Sequence, residues 1–294
     1  MRRLLIVGCG DVALRTLPLL LPCYRVYALL RDPARHAEWR ARGAIPLAGD
    51  LDDRASLARI AGLADAVLHF APPAAGRGTT DSRTRNLLSA LSRGALPKRL
   101  VYISTSGVYG DCGGAKVSEA RPIDPQTARG QLRADAERQI REWAKRNRVN
   151  ASILRVPGIY ADDRLPLERL RSGTPAIIEA EDSYTNHIHA DDLARIATAA
   201  LLKGRANRVY HASDDGELKM GDYFDAVADA YALPHPPRLT RAEVERSVSH
   251  ALWSFMNESR RLLNRRMKTE LQVRLRYPTV ASMLSELPQE RQIR

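Results

Sequence analysis

The feature that most constrains the fold is a glycine motif near the start of the chain. Gly8-x-Gly10-x-x-Ala13 directly follows an apolar run at 4–8 and opens an amphipathic stretch near 11–21. The first glycine allows a tight turn, the second lets a pyrophosphate approach the backbone, and the small third residue lets helix and strand pack closely. A helix beginning there presents free N–H groups to phosphates. The motif predicts a dinucleotide site, with a ligand-free tight turn as the alternative; the predicted cofactor-binding residues are Gly8, Gly10, Asp11, Val12 and Ala13.

The same strand-then-helix pattern repeats through the first half of the chain. Short apolar runs alternate with longer amphipathic stretches, which is typical of a parallel sheet covered by helices on both faces. The predicted strands are 4–8, 25–30, 44–49, 65–71, 99–105 and 151–156, and the predicted helices lie near 11–21, 33–42, 53–62, 80–93 and 130–147. We therefore expect an α/β fold with a doubly wound parallel sheet of the Rossmann type.

The alternation breaks after Pro157. Two groups of residues, 1–157 and about 187–213, are expected to form the cofactor-binding domain. The remaining residues, about 158–186 and 214–294, are expected to form a smaller mixed lobe on the substrate side. The elements predicted in this half are helices at 165–171, 191–203, 219–231, 241–249 and 258–264 and a strand at 208–212.

The net charge and the aromatic content indicate which kinds of binding partner the protein can have. The net charge is +12, from 46 Lys and Arg against 34 Asp and Glu, while aromatic residues are only 5% of the 294. The arginines are spread along the chain, and no basic run is interleaved with aromatics. This pattern indicates a solvated surface or a small anionic ligand rather than nucleic acid. Because no run of about 18 apolar residues occurs, we expect no membrane span.

Cysteine usage bears on the compartment. Cys9, Cys23 and Cys112 form no C-x-x-C pair and no metal-ligand spacing. Scattered cysteines fit a reducing cytoplasm better than a disulfide framework. The N-terminal apolar run is short and soon meets Asp11 and Arg15, so it is interpreted as a buried strand rather than a signal peptide. The expected location is the cytoplasm.

The end of the second predicted strand bears on the kind of dinucleotide. Leu30-Arg31-Asp32 lies about 20 residues beyond the glycine motif. An acidic residue there binds the ribose hydroxyls of NAD, whereas an arginine accommodates the 2′-phosphate of NADP. Arg31 comes first and Arg35 lies one turn on, which favours NADP over NAD. Asp32 is either a ribose ligand or the N-cap of a helix that begins at Pro33.

Further candidate residues follow three other predicted strands. These strand ends meet at one edge of a parallel sheet, where ligands bind in open α/β folds. Hydroxyl groups there can hydrogen-bond a substrate carbonyl or hydroxyl; ordinary turns are the alternative. The three segments are Gly49-Asp50-Leu51, Ala71-Pro72-Pro73 and Ser104-Thr105-Ser106-Gly107-Val108-Tyr109-Gly110.

The order of these segments resembles the extended short-chain dehydrogenase/reductase superfamily, in its NAD-dependent epimerase/dehydratase group. The resemblance covers nearly the whole chain and implies that Thr105 is the catalytic hydroxyl and that the stretch at Pro157 meets the nicotinamide. It also suggests a homodimer through the helices at 80–93 and 130–147. The matching segments are the glycine loop, GDL at 49–51, DAVLHFAPP at 65–73, STSGVYGD at 104–111, ILRVPGIY at 153–160, NHIHADDLA at 186–194 and YHASDD at 210–215.

One departure from the family concerns its catalytic Tyr-x-x-x-Lys. That motif falls on Arg129 and Arg133, with Gly130 keeping the register. Tyr exchanges the proton in the family, and Lys lowers its pKa and holds the nicotinamide ribose. A guanidinium cannot exchange a proton near neutral pH, although Arg133 can still donate to ribose hydroxyls. Two arginines in one crevice would hold a carboxylate or phosphate. The alternative is that Arg129 turns to solvent beside an inactive site.

Further residues are candidates for the proton donor that the family's Tyr would supply, or for metal ligands. Tyr109 could donate a proton, although its family role is mostly structural. His69 is expected to be a packed core residue. His187 and His189 are expected to seat a helix whose N-cap lies near Asp191, rather than to bind a metal.

The sequence thus predicts an NADP(H)-binding oxidoreductase or epimerase-like enzyme that acts on a small, anionic substrate with non-standard acid–base chemistry. Thr105 would orient the substrate, Arg133 the ribose and Arg129 an anionic group. The alternative is a catalytically silent protein that senses NADP(H) and reports to a protein partner.

Overall fold

The computed structural model describes residues 1–74 and 78–287. Seven of its strands form one parallel sheet. In chain order the strands are β1 (Arg2–Val7), β2 (Tyr24–Leu30), β3 (Ile45–Ala48), β4 (Ala66–His69), β5 (Arg99–Thr105), β6 (Lys116–Val117), β7 (Asn150–Val156), β8 (Gly158–Tyr160), β9 (Ala176–Ile177), β10 (His187–His189), β11 (Arg208–His211), β12 (Arg238–Leu239) and β13 (Arg261–Leu262).

The helices cover both faces of that sheet and build the structure beside its carboxyl edge. They are α1 (Asp11–Leu20), α2 (His36–Ala41), α3 (Ser82–Leu91), α4 (Ala128–Asn147), α5 (Leu167–Arg171), α6 (Ala190–Lys203), α7 (Met220–Ala230), α8 (Arg241–Ser247), α9 (His250–Met256), α10 (Arg265–Glu270) and α11 (Val280–Leu284). None of these described helices is long and apolar enough to cross a bilayer.

The strand order is β11-β7-β5-β4-β1-β2-β3, with every neighbouring pair parallel. The chain winds outward in one direction from β1 to β3 and in the other from β4 to β11. The predicted doubly wound α/β fold is confirmed. The order reverses between β1 and β4, and a crevice forms at such a switch point, outside the carboxyl ends of the strands.

Alternation along β1 shows why the sheet is covered on both faces. Leu4 and Ile6 belong to the core on one face, with residues of α1 and α6. Leu5 and Val7 belong to the core on the other face, with residues of α3 and α4. Successive side chains of a strand point to opposite faces, so a strand apolar at every position must be buried on both sides.

A separate core lies beside the sheet and is built mainly from α5, α7 and α11. It contains Tyr160, Leu170 and Phe224, all buried. The division into a domain of 1–157 plus about 187–213 and a lobe of about 158–186 plus 214–294 stays a prediction, and residues 288–294 lie outside the described part.

Three of the predicted helices differ from the structure. The helix predicted at 53–62 is only a short 3-10 turn at Ser56–Ile60, and the one at 33–42 begins with a 3-10 turn at Pro33–Arg35. The helix predicted at 258–264 is wrong. Its centre is strand β13, because this backbone pairs in parallel with β6. On its other edge the side chain of Asn186 binds the Arg260 carbonyl and the Leu262 N–H. The sequence reading also missed α9, α10 and α11.

Candidate active site

A cleft of about 640 Å³ opens at the switch point between β1 and β4. The glycine motif forms its floor. Gly8 has a φ of +92°, and a Cβ there would lie 2.1 Å from the backbone nitrogen of Ala71. Gly10 is the N-cap of α1 and receives no side-chain cap, while a Cβ at Gly10 would meet nothing within 4 Å. A chain of phosphates therefore has an open cradle and unpaired N–H groups. Asp11, Val12 and Ala13, which were predicted to bind the cofactor, also line the cleft.

At the end of β2, Arg31, Asp32 and Arg35 line the cleft, with Asp50 and Leu51 across from them. Asp32 caps the 3-10 turn by accepting a hydrogen bond from the Ala34 N–H at 2.9 Å. The N-cap alternative for Asp32 is thus what the structure shows. Arg35 donates to the Cys9 carbonyl at 2.7 Å, which brings its guanidinium against the glycine loop.

The middle of the cleft is lined by Ala71, Pro72 and Arg133. Arg133 uses Nη1 to donate to the Tyr102 hydroxyl at 3.0 Å and to the Ile103 carbonyl at 2.6 Å. These bonds hold the guanidinium against the end of β5. Pro73 was predicted here too, but it does not line the cleft; its carbonyl accepts a hydrogen bond from Arg83 at 3.4 Å.

A second cavity of about 170 Å³ lies beyond the end of β5. Thr105 and Arg129 line it, as does Pro157, which was predicted for the cofactor site. The Thr105 hydroxyl accepts a weak hydrogen bond from the Gly107 N–H at 3.2 Å and keeps its own proton free for a ligand. The opposite wall includes Phe255 of α9 and, after it, Glu258 and Arg260, together with the segment 184–187 and Met220.

Arg129 faces this cavity. Its guanidinium lies 3.8 Å from the centre of the Phe255 ring, within the range of a cation–π contact. Partial burial lowers the pKa of Arg129, and the positive charges of Arg133 and Arg260 lower it further, while Glu258 opposes them. The group stays cationic at neutral pH, so the cavity can hold an anion.

Comparison with known proteins decides the family. The model of the NAD dependent epimerase/dehydratase family matches residues 13–213. The chain belongs to this family. Over 190 residues it is 27% identical to dTDP-glucose 4,6-dehydratase of Mycobacterium tuberculosis, a match that covers 58% of this chain and 57% of that enzyme. The chain thus spans little more than half the length of the curated relatives it matches.

Solved structures share the whole fold. A conserved protein of unknown function from Silicibacter pomeroyi is 27% identical, with a TM-score of 0.78 over 99% of this chain and all of that one. A dTDP-glucose 4,6-dehydratase double mutant from Streptomyces venezuelae, solved with NAD, is 21% identical, with a TM-score of 0.72 over 97% of this chain and 96% of that one. Membership of a family whose members bind NAD(P) agrees with the shape of the cleft.

Unlike the cleft residues, Tyr109 does not reach either cavity. Its hydroxyl is buried between Arg155 Nη1 at 2.7 Å and His211 Nε2 at 2.6 Å. His211 Nδ1 lies 3.0 Å from the Leu263 carbonyl, which can only accept, so Nε2 of the neutral ring accepts from Tyr109. Burial lowers the pKa of His211 to about 3 and raises that of Tyr109. This placement argues against the predicted proton donation by Tyr109.

The histidines take mainly packing roles. His69 is buried, contacts the Thr84 hydroxyl at 3.0 Å, and has its pKa lowered to about 3 by burial. His189 is the N-cap of α6, close to Asp191, since its Nδ1 accepts from the Asp191 N–H at 3.2 Å. His187 packs on Tyr223 with ring centres 4.1 Å apart. Across the described ranges no three potential ligands cluster as a metal site would require.

One buried acid gives a pH-dependent prediction. Burial, with Asp215 and Asp192 adding to it, raises the pKa of Asp214 to about 8. Ionising this carboxyl therefore costs folding energy, so its contribution to stability falls as pH rises from about 4 to 8. We expect Asp214→Asn to match the wild type near pH 4 and to be roughly 2–4 kcal/mol more stable at pH 8.

Calorimetric melting at both pH values would measure this difference. Asp124→Asn, which changes an exposed carboxylate, is the matched control. Equal stabilities of the Asp214→Asn variant and the wild type at pH 8 would contradict the assigned cost.

Proposed function

We propose that the protein binds NADP(H) and acts as an oxidoreductase or epimerase-like enzyme on a small anionic substrate. The main support for NADP(H) binding is the pair of arginines, Arg31 and Arg35, at the end of β2. Arg31 is exposed at the cleft with no side-chain hydrogen bond among the described residues, while the Asp32 carboxylate is engaged in capping. An unpaired guanidinium there suits a 2′-phosphate, and a capping carboxylate is less able to bind ribose hydroxyls.

The substrate half is supported by the size and charge of the second cavity. At about 170 Å³ the second cavity is much smaller than the cleft of about 640 Å³ at the glycine motif. That volume suits a small molecule rather than a nucleotide sugar such as the mycobacterial relative's name implies. Arg129 supplies the positive charge that would hold its anionic group.

The proposal assigns a role to residues of both the cleft and the small cavity. The glycine loop and the start of α1 would bind the pyrophosphate, and Arg133 would use its remaining donors on the nicotinamide ribose. Thr105 would orient the substrate. When bound, the nicotinamide would supply or accept a hydride. Arg129 and Arg133 are proposed to stand at the family's Tyr and Lys positions, which leaves the proton to another group. A homodimer stays a prediction; Leu132, Ile140 and Trp143 of α4 are already buried within one chain.

The cofactor assignment predicts a selective loss. Arg31→Ala should weaken NADPH binding by about 10- to 100-fold, because a charge-assisted hydrogen bond contributes about 1.5–3 kcal/mol. NADH has no 2′-phosphate, so its affinity should not change. Titration calorimetry with NADPH, NADP, NADH and NAD would measure both.

Arg40→Ala is the matched control, since Arg40 is exposed on α2 and outside the cleft. Tighter binding of NADH than of NADPH by the wild type would overturn the NADP assignment. Binding of none of the four would overturn the cofactor site itself. Tight NADPH binding with no turnover of any small acid would leave the silent sensor as the function.

A further inference from the structure

Two buried polar atoms on the small cavity have no hydrogen-bond partner among the described residues. They are Oε1 of Glu258 and Nε of Arg260. Both residues line the cavity, and they are only 7% and 8% exposed. Buried polar atoms are nearly always hydrogen-bonded, so a pair of exceptions on one cavity wall requires an explanation. One acceptor and one donor side by side are what a small polar ligand would satisfy.

The two side chains are held rigidly. Arg260 donates through Nη2 to Oε2 of Glu258 at 2.7 Å and through Nη1 to the Gly110 carbonyl at 2.6 Å. The backbone between them is also fixed, since the Ser259 N–H donates to Asp111 at 2.7 Å. One carboxylate oxygen is therefore engaged, while Oε1, which is buried and has no partner among the described residues, is held in a fixed orientation.

The Glu258 carboxylate lies among groups with complementary chemistry. Glu258 carries the one carboxylate among the described residues that line this cavity. Its Oε2 would lie 3.9 Å from a Cβ built at Gly107, and the Thr105 hydroxyl oxygen would lie 3.5 Å from the same point. Arg129 supplies the positive charge of the cavity, as described above. A ligand with a carboxylate at one end and a hydroxyl at the other would pair with Arg129 and with Glu258.

We propose that the cavity takes a small hydroxy acid, with Arg129 holding its carboxylate and Glu258 Oε1 accepting the proton of its hydroxyl. This assignment rests on the proposed function and supplies the acid–base group that an arginine cannot provide. Arg260 is a positioning residue that orients the carboxylate.

As the substrate hydroxyl is oxidised, its O–H bond breaks and the proton moves to Glu258 Oε1. The adjacent C–H bond would break, and a bound nicotinamide would accept its hydride with both electrons. A C=O bond forms, and Glu258 is left as a carboxylic acid that returns its proton to water. In the reverse direction Glu258 donates the proton to the carbonyl oxygen.

Binding tests the contact without any turnover. Glycolate and acetate both carry a carboxylate, but only glycolate carries a hydroxyl. With NADP present, the wild type should bind glycolate more tightly than acetate by about 10- to 100-fold, the effect of one hydrogen bond to a charged group. Glu258→Ala should remove that preference. Arg129→Ala should weaken both acids equally, while exposed Arg121→Ala serves as the control. Equal affinity of the wild type for the two acids would overturn the proposal.

Turnover tests the proton step. NADPH formation from glycolate should fall by about 10²- to 10⁴-fold in Glu258→Gln, the usual contribution of a general base. Glu258→Asp should lose less, and exposed Glu168→Gln should behave as the wild type. Unchanged NADPH binding by Glu258→Gln would show that the cofactor site is intact.

Tyr184 and His187 also line the cavity and are the competing proton acceptors. A loss that follows Tyr184→Phe or His187→Gln but not Glu258→Gln would overturn the proposal, as would a wild type that forms no NADPH from glycolate. Failure of NADPH to bind at all would instead overturn the proposed function, so the two failures are distinguishable.

Discussion

Gly10→Ala should leave the fold intact and remove dinucleotide binding, whereas Gly8→Ala should destabilise the fold itself. A methyl group at Gly10 meets no protein atom within 4 Å, so it occupies only the cradle meant for the pyrophosphate. Alanine is a poorer N-cap than glycine, but it also reduces the entropy of the unfolded chain. These opposing effects should keep the change in unfolding free energy within about 1 kcal/mol. NADPH affinity should fall by at least about 100-fold, or 2.7 kcal/mol.

At Gly8 the added Cβ would lie 2.1 Å from Ala71 N and 2.5 Å from the Phe70 carbonyl carbon. That backbone cannot move freely, because the N–H groups of Phe70 and Ala71 both bind the Val7 carbonyl. We expect a loss of about 3 kcal/mol or more, which at roughly 2–4 °C per kcal/mol lowers Tm by about 10 °C. Calorimetric melting and NADPH titration of both variants would separate the effects. Wild-type NADPH affinity in Gly10→Ala would contradict the placement of the phosphates.

The residues that line the cleft between β1 and β4 could be named from sequence because their signals are local. The glycine motif, Arg31 and Asp50-Leu51 each follow a strand whose apolar run is recognisable in isolation. Parallel topology then brings all the strand ends to one edge of the sheet. Asp32 shows the limit of such reasoning. Its position in the sequence suits both a ribose ligand and an N-cap, and only the hydrogen bond from the Ala34 N–H identifies it as an N-cap.

The residues that form the small cavity are much harder to predict from the sequence. Thr105 and Glu258 line the same cavity although more than half the chain's length separates them, and the segment at 258–264 was taken for a helix. A local helical pattern cannot show that β6 and the Asn186 side chain will pair with this backbone and hold it extended. The structure argues against proton donation by Tyr109 for a related reason. Its position at a strand end suggested the site, but its partners Arg155 and His211 lie 46 and 102 residues away.

The network around Tyr109 leads to the second large effect. Arg155 and Glu137 form a buried bidentate pair, with Nε–Oε1 at 3.1 Å and Nη2–Oε2 at 2.7 Å. Only 4% of Arg155 and 2% of Glu137 is exposed. Arg155→Met should destabilise the protein by about 3–5 kcal/mol, because Glu137 would remain as an unpaired charge in a dry interior. That corresponds to a fall in Tm of roughly 10 °C.

The matched control is the double variant Arg155→Met with Glu137→Met, in which neither charge is left. Replacing both partners of a buried ion pair by apolar groups of similar size is often neutral or stabilising, so the double variant should regain most of the lost free energy. Urea unfolding followed by circular dichroism would give the three free energies. If the double variant is as unstable as Arg155→Met, the cost comes instead from losing the hydrogen bond to Tyr109. In that case the link between β7 and the 3-10 turn at Ser106–Tyr109, rather than the charge pair, stabilises this side of the cavity.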